Sequence, residues 1–200
     1  MMGSSTERPF LQEVRDSAAW ILGFVGLLWG IELVNVAFGN RLLVFGILPR
    51  TLVGLRGIIF APFLHGSFAH LLANTLPLLV LGSLVLLSGR AVFIRASIII
   101  AVVGGGLTWA FGRPAYHVGA SGLIFGYLGF LVAKAWYERQ VVSILIALVA
   151  AALYGGILLG VLPLTPGVSW EGHIFGFLGG LIAGRDCAVR RQRAAPTSDF

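Results

Sequence analysis

An all-α, polytopic membrane protein is the fold class this 200-residue sequence predicts, and three observations predict it. Hydrophobic residues make up 58% of the chain and charged residues only 11%, where soluble domains are roughly a quarter charged. The charges sit in short clusters between long apolar runs, the arrangement of membrane-crossing segments. Every linker between those runs is short, so a single domain is expected.

A crossing needs about 20 apolar residues, and six runs qualify, predicting a six-transmembrane-helix bundle. The first spans 17–37 and is interrupted by Glu32. A loop over 38–66 follows, with Pro49, Pro62, Arg41, Arg50 and Arg56. The remaining runs are 68–88, 91–111, 118–136, 141–162 and 170–188. Arg95 is tolerated near the start of the third by snorkelling. Residues 1–16 carry both signs of charge, and no small-residue cleavage site follows the first run, so that run reads as an uncleaved crossing. The expected organisation is a cytoplasmic N-terminal segment 1–16, a six-helix domain 17–188 and a cytoplasmic basic tail 189–200. Trp20, Trp29, Trp109, Trp136 and Trp170 read mostly as interface anchors.

Six crossings put both termini on one side. With the termini inside, ten of the 14 Lys and Arg residues fall in inner segments, and only Arg41, Arg50, Arg56 and Arg113 fall outside. That bias predicts cytoplasmic N- and C-termini. The tail RDCAVRRQR fits an inner leaflet with anionic lipid. Arginine outnumbers lysine thirteen to one, which points to a bacterial genome and so to the bacterial cytoplasmic membrane. The net charge of +6 is spread along the chain and forms no basic stripe, so no nucleic-acid partner is expected. The single cysteine, Cys187, excludes an internal disulfide and a cysteine metal site.

Three polar clusters fall at the same end of alternate crossings. The second opens with HGSFAHLLANT, in which His70 and Asn74 are four apart and share a helix face. His65 precedes them at the loop edge and reads as structural. The fourth opens with Gly119-Ala120-Ser121-Gly122, and the sixth with WEGHIFGFLGG, carrying His173. Gly172, Gly176, Gly180 and Gly184 recur every four residues, and Gly122 and Gly126 repeat that spacing on the fourth crossing. Such stripes let helix backbones approach closely in lipid.

If the two stripes face each other, Ser121 and His173 come within hydrogen-bond reach, the precondition for a base to activate a hydroxyl. His70, Asn74 and the Ser121 amide at a helix start supply N–H donors for an oxyanion. The plainer alternatives are helix packing for Ser121 and an interhelical hydrogen bond for Asn74. Glu171 falls on a different helix face from His173, so a two-residue dyad is expected, with Glu171 shaping the outer end of its helix. His117 reads as a solvated loop residue, and Glu32 as a helix-end or interhelical partner. His65, His70 and His173 lack a His-Glu-x-x-His context, so no metal and no cofactor is expected.

The motifs His70-x-x-x-Asn74, Gly119-x-Ser121-Gly122 and His173-x-x-Gly176-x-x-x-Gly180, in that order, resemble the rhomboid family of intramembrane serine proteases. The resemblance covers the second to the sixth crossing and is similar to the minimal bacterial form. It implies an outward-opening, water-filled cavity with Ser121 as nucleophile and His173 as general base. It also implies His70, Asn74 and the Gly119–Ser121 backbone around the oxyanion, and Phe125 packed on the catalytic histidine. A Trp-Arg pair common in the family's first outer loop is absent from 38–66.

The expected partners are single-span or polytopic membrane-protein substrates within the lipid bilayer. A flexible fifth crossing, with Gly155 and Gly156, is the expected lateral gate. A catalytically inactive relative that binds client helices, and a proton-relay transporter, are the competing functions. The latter lacks inverted repeats here.

Overall fold

In hydrocarbon each backbone N–H and C=O needs a partner within its own segment, so the apolar runs must be helical. The computed structural model describes residues 10–154 and 168–194. It contains α1 (Phe10–Ala37), α2 (Gly57–Phe60), α3 (Phe68–Leu86), α4 (Arg90–Phe111), α5 (Ser121–Glu138), α6 (Val141–Tyr154) and α7 (Trp170–Ala194). Among the described residues there is no strand, only one isolated antiparallel bridge between Ile47 and His117.

Among the described residues, three helical stretches are long and apolar enough to cross a membrane: Ala18–Ala37, Phe68–Leu86 and Arg90–Phe111. The other three expected crossings correspond to α5, α6 and α7. Of these, α5 ends in the polar Lys134–Glu138 stretch, α6 is described for 14 residues, and α7 ends in a charged stretch. Gly155 and Gly156, the expected gate residues, lie outside the described residues.

Helix α5 is the central element, with eleven of its 18 residues buried. It packs most extensively against α7, and α3, α4 and α6 also touch it, while α1 leans on α3. Leu71, Leu78, Ile100, Tyr127 and Phe130 form the heart of the core. The outer surface is apolar as well. Leu33, Leu72, Ile98, Val102, Val141 and Leu148 are all exposed, a coat suited to lipid and not to water.

The glycine stripe is what allows α7 to lie against α5. A Cβ on Gly176 would fall on the Gly122 carbonyl, and one on Gly180 on the Gly126 carbonyl. Lower down, a Cβ on Gly184 would sit 2.7 Å from the Phe130 carbonyl oxygen. Gly126 itself looks elsewhere, toward the Ile100 side chain of α4. Backbone thus meets backbone along most of this interface, the close approach that small residues permit.

Several boundaries differ from expectation for local reasons. Helix α5 starts at Ser121 and not at 118. The Ile47–His117 bridge uses the backbone of His117, and Gly119 has φ 121°, where a side chain would be strained. Helix α7 runs to Ala194 through the basic tail, where Asp186 and Arg190 pair four residues apart.

The 38–66 segment is not an open loop. Short turns at Arg41–Phe45, Val53–Arg56 and Ala61–Phe63 flank α2. The Trp109 indole donates to the Thr51 carbonyl at 2.8 Å, and Arg50 donates to the Gly112 carbonyl at 2.7 Å. Trp109 is therefore a clasp for this segment. Trp29 joins α1 to α3 through Thr75 at 3.2 Å, whereas Trp20 and Trp136 remain exposed.

Candidate active site

Ser121 is the first residue of α5, so its amide is one of the four that a helix leaves without an internal acceptor. His173 sits one turn into α7 and is buried. The close α5–α7 packing brings Ser121 Oγ to 2.9 Å from His173 Nε2. Phe125, one turn after Ser121, lies parallel to the imidazole, with centroids 4.2 Å apart and planes 9° apart. That stack fixes the ring plane, and the hydrogen bond fixes its rotation.

Both side chains line a cavity of about 790 Å³ that His70, Asn74 and Phe125 also border. Ser67 caps α3 by accepting the His70 amide at 3.1 Å. Asn74 is buried, and its Nδ2 donates to the His70 carbonyl at 3.0 Å. One N–H of that amide group is left to point elsewhere.

Gly119 contributes through its backbone and its lack of a side chain. Its own N–H donates to the Ala61 carbonyl at 2.9 Å, so that amide is already engaged. What Gly119 supplies is space, because a Cβ there would lie 2.8 Å from the His70 ring.

His65 is fully buried behind this layer. Its Nε2 accepts the Ala120 amide at 3.3 Å, and its ring meets that of His70 edge-on at 5.1 Å. It holds the turn that precedes the serine, in keeping with a structural part. Asn35 links the His65 carbonyl to the buried Glu32 carboxylate, at 3.2 Å to each, so Glu32 is tied within this polar knot.

His117 departs most from its sequence reading. It is buried, not solvated. Nε2 lies 3.0 Å from the Arg113 carbonyl and Nδ1 lies 2.6 Å from Ser169 Oγ. A carbonyl only accepts, so Nε2 carries the proton and Nδ1 accepts from the Ser169 hydroxyl. Ser169 Oγ in turn accepts the Gly172 amide at 3.2 Å, and the Ser169 carbonyl accepts the His173 amide. His117 and Ser169 thereby start the helix that carries His173.

Glu171 is buried nearby. Its Oε1 accepts the Arg113 amide at 3.2 Å and stands 3.6 Å from the Arg113 guanidinium. Arg113 also donates to the Val168 carbonyl. Sequence reasoning missed this strap between the α4–α5 turn and α7. The segment Ser169-Trp-Glu-Gly does carry a helix-start signal, a serine followed by an acid in the first turn.

Two predictions follow from these contacts. Ser169→Ala removes a cap and the partner of His117, at a cost of about 1 kcal/mol, read as a lower thermal unfolding midpoint. The second concerns acid. Burial first, then the neighbouring His70, hold His65 down at about 3, and burial also lowers His117 despite its bond to the Arg113 carbonyl. Both rings fold neutral, whereas the unfolded chain takes up protons as pH falls below 6.5. Stability from these rings is therefore full above 6.5 and declines as pH falls. The unfolding midpoint should drop between 6.5 and about 5, before carboxylates titrate. A flat midpoint across that window would remove the buried-neutral assignment.

The chain has relatives among known proteins. The Rhomboid domain family matches residues 54–188. An uncharacterized protein of Mycobacterium tuberculosis is 48% identical over 172 residues, covering 82% of this chain and 72% of that protein. One from Mycobacterium leprae is 42% identical over the same length, covering 82% and 68%. RHOMBOID-like protein 4 of Arabidopsis thaliana is 36% identical over 136 residues, covering 64% of this chain and 33% of that protein. With the family match covering most of its length and apolar helices built for a bilayer, the chain belongs to the rhomboid family.

Proposed function

We propose that this protein is an intramembrane serine endopeptidase that hydrolyses peptide bonds in or near the transmembrane helices of other membrane proteins. The observation that carries the reading is the 2.9 Å contact between Ser121 Oγ and His173 Nε2 beside the 790 Å³ cavity. In the first step His173 Nε2 takes the Ser121 proton as Oγ attacks the scissile carbonyl. The negative charge gathers on the carbonyl oxygen, where the Ser121 amide, His70 and Asn74 serve as donors. His173 then protonates the departing amine, leaving an acyl-enzyme. A water deprotonated by the same imidazole attacks the acyl carbon and restores the serine.

A helix in lipid is fully hydrogen-bonded, so a substrate must unwind locally to present its carbonyl. Helix-weakening residues near the cut should therefore speed cleavage. A small void of about 50 Å³ reaches Ser121, bordered by Gly104, Gly122 and Ala61. That space favours a small side chain before the scissile bond. The proposed setting is a bacterial cytoplasmic membrane, with six crossings, both termini inside and the cavity opening outward.

The test uses the purified protein in detergent with a single-span substrate and a fluorophosphonate probe. Wild type should cleave the substrate and be labelled by the probe, and Ser121→Ala should do neither. A wild type that binds substrate without cutting it would replace this reading with that of a non-catalytic client binder, and labelling that survives Ser121→Ala would move the nucleophile to another residue.

A further inference from the structure

A second cavity, of about 490 Å³, lies among the α3–α4 turn, the end of α5 and the later turns of α7. It is remote from Ser121. The 17 helical steps to Glu138 separate the two ends of α5 by about 25 Å.

Arg95, Lys134, Arg190 and Arg191 border this cavity together with Glu138 and Asp186. Each carboxylate is shared by two cations. Asp186 accepts Arg95 through contacts of 2.6 and 3.1 Å, and Arg190 at 3.2 Å. Glu138 accepts Arg191 at 3.0 Å and stands 3.9 Å from Lys134, while the Ser143 hydroxyl donates to it at 2.7 Å. Four positive charges against two negative ones leave a surplus of two.

The surplus is partly enclosed. The Glu138 side chain is 5% exposed and that of Lys134 is 18%, so water screens this pair less than it would on an open face, while Arg190 and Arg191 reach outward at 60% exposed. Donors also remain. Lys134 uses one N–H on Ser88 at 2.8 Å and has two more, and each guanidinium carries five. The accessible remainder of the wall is apolar, with Leu87 and Val92. Charge surplus beside a greasy wall matches an amphiphile with an anionic head.

We infer that this cavity binds the phosphate of an anionic phospholipid, with Lys134, Arg190 and Arg191 around the head and an acyl chain along Leu87 and Val92. Basic pockets between membrane helices take such headgroups, and each cation near the surface adds about fivefold in affinity. The bound lipid would bridge α4, α5 and α7 at the end opposite Ser121.

The test is made on the full-length protein in phosphatidylcholine nanodiscs, doped with phosphatidylglycerol or supplied with inorganic phosphate. Native mass spectrometry reads retained lipid, and thermal unfolding reads stabilisation. Phosphatidylglycerol should be retained and raise the midpoint. Lys134→Gln with Arg190→Gln should weaken retention about twenty-five-fold at fivefold per cation. Val92→Trp, which keeps every charge and fills the wall, should also abolish retention, so a folding defect in the double variant does not decide the outcome. Arg193→Gln, outside the cavity, should change retention little. Equal stabilisation by inorganic phosphate overturns the lipid assignment in favour of a free anion. Equal weakening by Arg193→Gln overturns the site in favour of diffuse surface attraction.

Discussion

His173→Ala is expected to lower cleavage of a single-span substrate by at least about a thousandfold. Positioned acid–base groups contribute roughly a hundredfold to ten-thousandfold, and removing a nucleophile's own base costs more because the hydroxyl loses its activation as well. The fold should survive the change. His173 stacks on Phe125 at 4.2 Å, and losing such a ring pair costs about 1 kcal/mol beyond the area it buries. The readout is therefore a divergence, with cleavage lost while the thermal midpoint moves by only a few degrees. Phe125→Leu supplies the partner experiment. It keeps the apolar filling and frees the imidazole plane, so kcat should fall several-fold with fluorophosphonate labelling still dependent on Ser121. A His173→Ala protein that cleaves within tenfold of wild type would end the proposal for this base.

Gly180→Val carries the largest expected effect on stability. The added Cβ would fall on the Gly126 carbonyl, and backbone cannot turn aside as a side chain can. Overpacking of this kind costs about 3 kcal/mol. The damage reaches the chemistry too, because parting α5 from α7 moves Ser121 from His173, and a misplacement of about 1 Å costs about a hundredfold in rate. Midpoint and cleavage should fall together. Gly30→Ala is the control. Nothing lies within 4 Å of its added Cβ, so the ordinary gain of alanine over glycine, about 0.5–1 kcal/mol, should appear. If Gly180→Val is as well tolerated as Gly30→Ala, the close α5–α7 contact is misdescribed.

Much of this site was legible in the sequence because its signals are periodic or local. Four-residue glycine spacing gave the face of α7 that meets α5, and the order of the three polar clusters gave the residues around one cavity. What escaped depends on partners far apart in the chain. His117 and Ser169 are 52 residues apart, and nothing around a lone histidine after Pro114 announces a buried ring. Glu171 reads as shaping the outer end of its helix, but its partner Arg113, in the α4–α5 turn, is not foreseen from the sequence. The packing role of Gly119 was also hidden in the sequence. Its amide partner is Ala61, 58 positions earlier, and its missing side chain makes room for the His70 ring. Trp109 resembled an anchor at the lipid boundary, and only the path of Thr51 shows it as a clasp.

The Ile47–His117 bridge has a mechanical consequence. Its two backbone bonds, 2.9 and 3.0 Å long, fasten the segment after α1 to the turn that leads into Ser121. Lifting that segment would drag the serine with it and spoil its alignment. On the proposed reading, a substrate helix would enter on a side of the cavity that lacks this tether.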